Sequence, residues 1–180
     1  MCAIEVTPVV ATERLILRGP VKTDAAAIAH LLNDLNVAGM TAQIPHPYGL
    51  ADAEAWLDEA GRCDYVETAD FMIEHRNFGV VGGLSFMAGR DPTGRPELGY
   101  WIGRPYWNRG YATEAVRAAM KWARRDWRKN VVVAGHFADN PASGQVLCKA
   151  GFLYTGDVER RPCRARGRDD VPTRMMVWLA

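Results

Sequence analysis

Trp107-Asn108-Arg109-Gly110-Tyr111-Ala112-Thr113-Glu114-Ala115 is a glycine-bearing turn that follows one apolar stretch, Leu98-Gly99-Tyr100-Trp101-Ile102, and runs straight into an amphipathic one. The order strand, turn, helix start is where a chain offers free backbone amides to phosphate. Gly110 permits close main-chain approach, Arg109 adds a positive charge, and the turn after Ala112 carries the positive end of a helix dipole. One such turn fits any α/β domain, so the neighbouring sequence has to decide what it means.

Downstream, Ala112 to about Trp127 keeps Ala112, Ala115, Val116, Ala119, Ala123 and Trp127 on one helical face and sends Arg117, Lys121, Arg124, Arg125 and Arg128 to water. Val131-Val132-Val133-Ala134-Gly135-His136-Phe137 is too apolar and β-branched for an edge strand. A second well-marked helix follows, with Asn140 as N-cap, Pro141 at the first helical position and Gly151 just past the end. Phe152–Gly156 and Thr173–Leu179 are expected to pair across a long basic loop.

Upstream, Arg14–Arg18 reads as a strand ended by Gly19-Pro20, and Asp24 to Leu35 as a helix with Thr23 or Asp24 as N-cap. Ile44-Pro45-His46-Pro47-Tyr48-Gly49 cannot be helical, because each proline restricts the residue before it. A short acidic helix spans about Ala51 to Ala60, and Phe71–His75 and Gly79–Phe86 form a hairpin about Arg76-Asn77. The order β-α-α-β-β-β-α-β-α-β-β implies a mixed sheet with helices on both faces.

At 180 residues, 48% hydrophobic and 24% charged, the chain suits one domain over 1–180 with its own core. No basic leader precedes an apolar run, and no stretch reaches the roughly 18 apolar residues of a membrane span, so a cytoplasmic protein with no membrane partner is expected. Cys2, Cys63, Cys148 and Cys163 lie far apart, and His30, His46, His75 and His136 are scattered, so no metal site is expected.

Net charge is +1, yet the charges are segregated. Asp52 to Glu74 holds eight acids against Arg62, whereas Arg104 to Arg168 holds fourteen bases against five acids. Two solvated surfaces would account for this; so would an anionic ligand on the second half and a cationic one on the first. Neither Gly-x-x-x-x-Gly-Lys-Ser/Thr nor Gly-x-Gly-x-x-Gly occurs, and Gly83-Leu84-Ser85-Phe86-Met87 lacks the second glycine of a hydrolase elbow. Nucleoside-triphosphate, dinucleotide and serine-hydrolase chemistry are thereby disfavoured. The run Arg160–Arg168 is the one nucleic-acid candidate, and no nucleic-acid partner is expected from it.

Two phosphate-friendly helix starts in tandem make the chain resemble the GNAT superfamily of acetyl-CoA-dependent N-acetyltransferases. The family pattern Gln/Arg-x-x-Gly-x-Gly/Ala is met by Trp107-Asn108-Arg109-Gly110-Tyr111-Ala112, with Trp in the first place, and the Asn-to-Gly-Phe helix by Asn140 to Gly151-Phe152. Thr12–Arg18, Pro47-Tyr48 before Ala-Glu-Ala-Trp, Leu98–Ile102 and Gly110–Ala115 look like the Rim-type branch, which modifies ribosomal-protein N-termini and also includes enzymes acting on small amines. The resemblance implies an α/β (α+β) fold: a single GNAT-like domain whose mixed, mostly antiparallel sheet of six to seven strands has splayed central strands and about four helices on both faces. It implies acetyl-CoA as co-substrate, a peptide N-terminus or a small amine as acceptor, and a homodimer as a further expectation.

By the same resemblance, Tyr100, Trp101 and Ile102 would present an edge to the pantetheine arm. Trp107, Asn108, Arg109, Gly110, Tyr111, Ala112 and Thr113 would cradle the diphosphate, and Asn140 would hold the pantetheine amide or simply cap its helix. Attack of an amine on a thioester needs a neutral nucleophile, an oxyanion donor and an acid for the thiolate. Many family members carry a tyrosine where this chain has Leu147, while the Rim-type branch often has a serine three after the Asn. Ser143 is therefore the expected thiol-side donor, with Tyr154 and Tyr111 as other candidates. Glu97 is the expected base, with Glu74 and His46 behind it. The alternative from another class is a non-catalytic acetyl-CoA-binding regulatory module.

Overall fold

Alternating large and small or polar residues lay down the sheet, and a computed structural model of the chain describes residues 8–60, 67–89 and 94–180. The strands are β1 Val10–Ala11, β2 Leu15–Arg18, β3 Ala69–His75, β4 Gly79–Met87, β5 Glu97–Ile102, β6 Val131–Phe137, β7 Leu153–Cys163 and β8 Arg168–Leu179. Their order is β1-β2-β3-β4-β5-β6-β8-β7. Every neighbouring pair is antiparallel except β5 with β6. Cys2, Cys63, Arg62 and Asp64 lie outside the described residues.

The sheet has eight strands, against six to seven expected. The addition is β1, a two-residue edge piece too short for alternation to register. There are five α-helices among the described residues, against about four expected: α1 Ala25–Leu32, α2 Leu35–Ala38, α3 Leu50–Ala60, α4 Tyr111–Arg125 and α5 Pro141–Lys149. The helix expected to run on to Leu35 breaks because the Asp34 side chain accepts the Asn36 N–H at 2.8 Å, capping a new turn. The N-cap of α1 is Asp24, though its carboxylate accepts the Val21 N–H rather than an amide of the helix.

The long basic loop also needs correcting. β7 runs through to Cys163 and β8 begins at Arg168, so most of that segment is hairpin. Most of its cations are committed within the molecule: Arg161 is buried against Glu97, Arg166 bonds Asp139 and the Gly39 carbonyl, and Arg168 bonds Asp170. The hairpin hides an Arg-rich pattern that composition alone presents as a loop.

On one face Leu15, Leu17, Phe71, Leu84 and Phe86 pack against Ala115, Val116, Ala119 and Trp122 of α4, with Leu147 of α5 in the same cluster. Phe71 meets Trp122 edge-on at 5.1 Å, and Trp122 stacks on Trp127 at 5.4 Å. On the other face Met72 packs with Ile28 and Leu32 of α1 and Ala53 and Leu57 of α3, with Val80 and Trp101 alongside. The sheet is thus held between helices on both sides. No helix among the described residues is long and apolar enough to cross a membrane.

Candidate functional site

β5 and β6 pair only at Glu97 with Val133 and at Leu98 with Ala134, then part. On its other edge β5 stays laddered to β4 out to Ile102. Pro96 accepts the Val133 N–H, and Gly103 donates to the Val81 carbonyl. The alternation of strand groups therefore turns the main-chain N–H and C=O of Tyr100 toward the gap. The Ile102 carbonyl is already engaged, accepting the Trp107 indole N–H at 2.6 Å. Trp107 thus ties the turn to the strand end, and Ile102 keeps its side chain in the core.

The turn itself is a cradle. Asn108 and Gly110 both have positive φ, at 59° and 79°, on either side of Arg109. Left-handed residues placed this way gather successive N–H groups into a concavity that suits an anion. Gly110 is the N-cap of α4 and provides no side-chain acceptor, so the first-turn amides of Tyr111, Ala112 and Thr113 are left without a side-chain cap. Arg14 braces the cradle, bonding the Arg109 carbonyl at 2.9 Å and Glu114 at 2.7 Å, with its guanidinium 4.8 Å from the Tyr111 ring centre. Burial pushes the Glu114 carboxyl up, but Thr12 and Arg14 outweigh it and hold the group below the usual carboxylate range.

The second helix start differs. Asn140 caps α5 with its own side chain, accepting the Ser143 N–H at 3.3 Å. Ser143 Oγ lies 2.7 Å from the Tyr100 hydroxyl, which also donates to the Ser143 carbonyl at 3.1 Å. Tyr100 is thus a strut between β5 and α5 at the gap. Burial pushes its phenol up to about 12, so it stays protonated at neutral pH. Leu147 is fully buried in the core and has no access to the gap.

A cleft of about 860 Å³ opens at Tyr100 and Ser143, and the turn from Trp107 to Thr113 is not part of its lining. Its lining includes Tyr100, Trp101, Ser143 and His136, Asp52, Trp56 and Glu59 of α3, and Glu97 with Arg161. Ile44 and Pro45 line it too, while the exposed His46 does not. Glu97 is in the cleft with its carboxylate bonded to Arg161, which also pairs with Glu159 at 2.8 Å. Glu74 lies outside it, paired with Arg18 at 2.5 Å. Tyr111 is buried beneath the cradle, and the Tyr154 hydroxyl lies 3.0 Å from His136 Nε2.

Sequence reading missed two members of the cleft. Asp70 of β3 and Ser85 of β4 face each other in register, and the Ser85 hydroxyl donates to Asp70 at 2.5 Å. Burial pushes the Asp70 carboxyl up; the Ser85 hydrogen bond opposes this and the nearby Glu59 adds to it. The signal was present in the strand: Asp70 and Met72 share one face, opposite Phe71 and Ile73. Its place beside the cleft depends on strand order, which a single sequence does not give.

Residues 14–153 match the profile of the acetyltransferase (GNAT) domain. The chain belongs to that family. The acetyltransferase is 27% identical over 161 residues to the uncharacterized N-acetyltransferase YoaA of Bacillus subtilis, covering 83% of this chain and 85% of that one. Its fold matches the ribosomal-protein-S5-alanine acetyltransferase of Vibrio fischeri with a TM-score of 0.80 at 17% identity, covering 96% of each chain. It matches the microcin C7 self-immunity acetyltransferase MccE, solved with acetyl-CoA and AMP, with a TM-score of 0.79 at 16% identity and 94% coverage of each. At those identities the likenesses bear on the fold. Enzymes named for an alanine of a ribosomal protein and for microcin C7 self-immunity share it, so the fold does not select the Rim-type branch.

Proposed function

We propose that this acetyltransferase, acting as a single domain over 1–180, moves an acetyl group from acetyl-CoA to a primary amine by direct attack while both are bound. The observation that carries the reading is the gap between β5 and β6 opening beside uncapped amides at the start of α4. The donor set suits coenzyme A: a concave run of amides from Asn108 to Thr113 with Arg109 for diphosphate, and the Tyr100 main chain for an amide-bearing arm. Trp101 and Ile102 would flank that arm, and Asn140, its side chain already capping α5, would steady it from across the gap.

Ser143 would donate toward sulfur; the Tyr100 hydroxyl 2.7 Å from its Oγ supports that role. Glu97, in the same cleft, accepts a proton from the amine only if Arg161 first releases it. Positioning supplies a large part of the rate in such a reaction.

Release of free thiol from acetyl-CoA, measured first with Ala- and Ser-starting peptides and then with small amines such as spermidine, tests the reading. Turnover of any of these at a useful rate supports it; saturable acetyl-CoA binding with no turnover across the panel replaces it with a binding module. Within an active system, Ser143→Ala is expected to lower kcat by about 100-fold, the low end of what a positioned proton donor contributes. Calorimetry should show acetyl-CoA affinity nearly unchanged, and an unaltered kcat would assign the donor elsewhere.

A further inference from the structure

The Asp70–Ser85 pair lies in one row of the sheet with Gly99: Asp70 is the register partner of Ser85, and Ser85 that of Gly99. Gly99 directly follows Leu98, the last β5 residue paired with β6. Neighbouring strands are about 4.8 Å apart, so the row carries the Asp70 backbone about 10 Å from the mouth of the gap. Between them the floor of the cleft is a serine hydroxyl and a glycine without a side chain. An amine lying over Gly99 has the gap on one side and the Asp70 carboxylate on the other, within reach directly or through one water.

We propose that Asp70, steadied by Ser85, receives the ammonium group of a cationic acceptor and takes its proton; this assignment rests on the acetyl-transfer reading above. Among the described residues no guanidinium or ammonium pairs with Asp70, in contrast to Glu97 on Arg161 and Glu74 on Arg18. The other charged or titratable groups lining the cleft are Tyr48 just before α3, Asp52 and Glu59 from α3, Glu97 and Tyr100 from β5, His136 from β6, and Arg161 and Arg164 around the β7 end. The acids of α3 and β3 stand together on the acceptor side, which favours an incoming cation over a neutral amine.

The ammonium N–H bond breaks and its proton passes to the Asp70 carboxylate, then to water. The freed lone pair forms the N–C bond to the thioester carbonyl. As the C–S bond breaks, the nitrogen loses a second proton and sulfur gains one from the Ser143 hydroxyl, which is reprotonated through solvent. One amide, one thiol and one net proton result from each ammonium and thioester.

Asp70→Asn keeps the shape and the Ser85 hydrogen bond while removing the basic oxygen. With spermidine or an Ala-starting peptide as probe, whichever the wild type acetylates, kcat/KM at pH 7 is expected to fall about 100-fold or more. The residual rate should climb with pH as the ammonium loses its proton to solvent, and calorimetric acetyl-CoA affinity should hold. A second readout needs no turnover. Because burial raises the Asp70 carboxyl, its stabilising contribution is full below the ordinary carboxylate range and is lost as pH rises through the raised value. The ionised group therefore opposes folding at neutral pH, and the variant should melt at the same temperature or higher.

A rate within about threefold of wild type would overturn the assignment while leaving the transfer reading intact. A lost rate accompanied by a lower melting temperature and weaker acetyl-CoA binding would make Asp70 structural and overturn it equally. Failure of the wild type to acetylate any amine would remove the transfer reading itself, and this assignment with it.

Discussion

Gly110→Val is expected to weaken acetyl-CoA binding by about 100-fold, equivalent to about 2.7 kcal/mol, the loss of one or two charge-assisted main-chain hydrogen bonds. At φ 79° the residue is in a region that a β-branched side chain avoids. The chain relieves that strain by rotating the Gly110 backbone, which turns the neighbouring amides out of the cradle. A Cβ there also comes 3.4 Å from Arg14 Nη2, the guanidinium that braces the turn. The cost to folding is smaller, about 1–2 kcal/mol for one left-handed residue, so the melting temperature without ligand should fall by only a few degrees. Unchanged affinity in calorimetry would refute the cradle.

Arg161→Met is expected to be the most destabilising single change at the site. Arg161 is 7% exposed and bridges Glu97 and Glu159, so its removal strands the buried Glu97 carboxylate. Breaking a buried pair from one side typically costs about 3–5 kcal/mol. In a domain of this size each kcal/mol corresponds to about 2–4 °C, so the melting temperature should fall by roughly 6–20 °C. Arg161→Met combined with Glu97→Met should recover most of the loss, since two apolar side chains of similar volume replace the pair without a stranded charge. A single variant melting within about 2 °C of wild type would show that the pair is not holding β7 to β5.

The fold was legible where local signals and tertiary needs agree. Gly110, Asn140, Pro141 and Gly151 mark helix ends by mechanisms that act within a few residues, and α4, β6 and α5 stand where those signals place them. The failures occur where tertiary contacts override composition. Arg160 to Arg168 reads as loop because nothing local reveals that Arg161 has a buried partner 64 positions earlier in the chain. At Asn33-Asp34 a short side chain outcompetes helix continuation. β1 has too few residues to show a period.

The site divides in the same way. The turn before α4 is contiguous in sequence, so its residues could be read together, whereas the positive φ at Asn108 and Gly110 comes from the structure. Ser143 was named from resemblance, and the Tyr100 hydroxyl beside it could not be foreseen, because β5 and α5 meet only once the sheet order is known. The tandem helix starts looked equivalent in sequence. Asn140 caps its own helix, so the open amides belong to α4. Glu97 and Asp70 show the limit most plainly: two strand carboxylates of similar appearance, one on a buried guanidinium and the other held by a serine hydroxyl in the cleft.

In the proposed complex, coenzyme A lies across the β5–β6 gap with its diphosphate on the turn before α4. A crystal structure of the protein with coenzyme A tests this most directly. Diphosphate oxygens are expected within about 3 Å of amide nitrogens between Asn108 and Thr113, and the pantetheine arm along the Tyr100 main chain. Coenzyme bound at another surface, with those amides left to solvent, would contradict that placement.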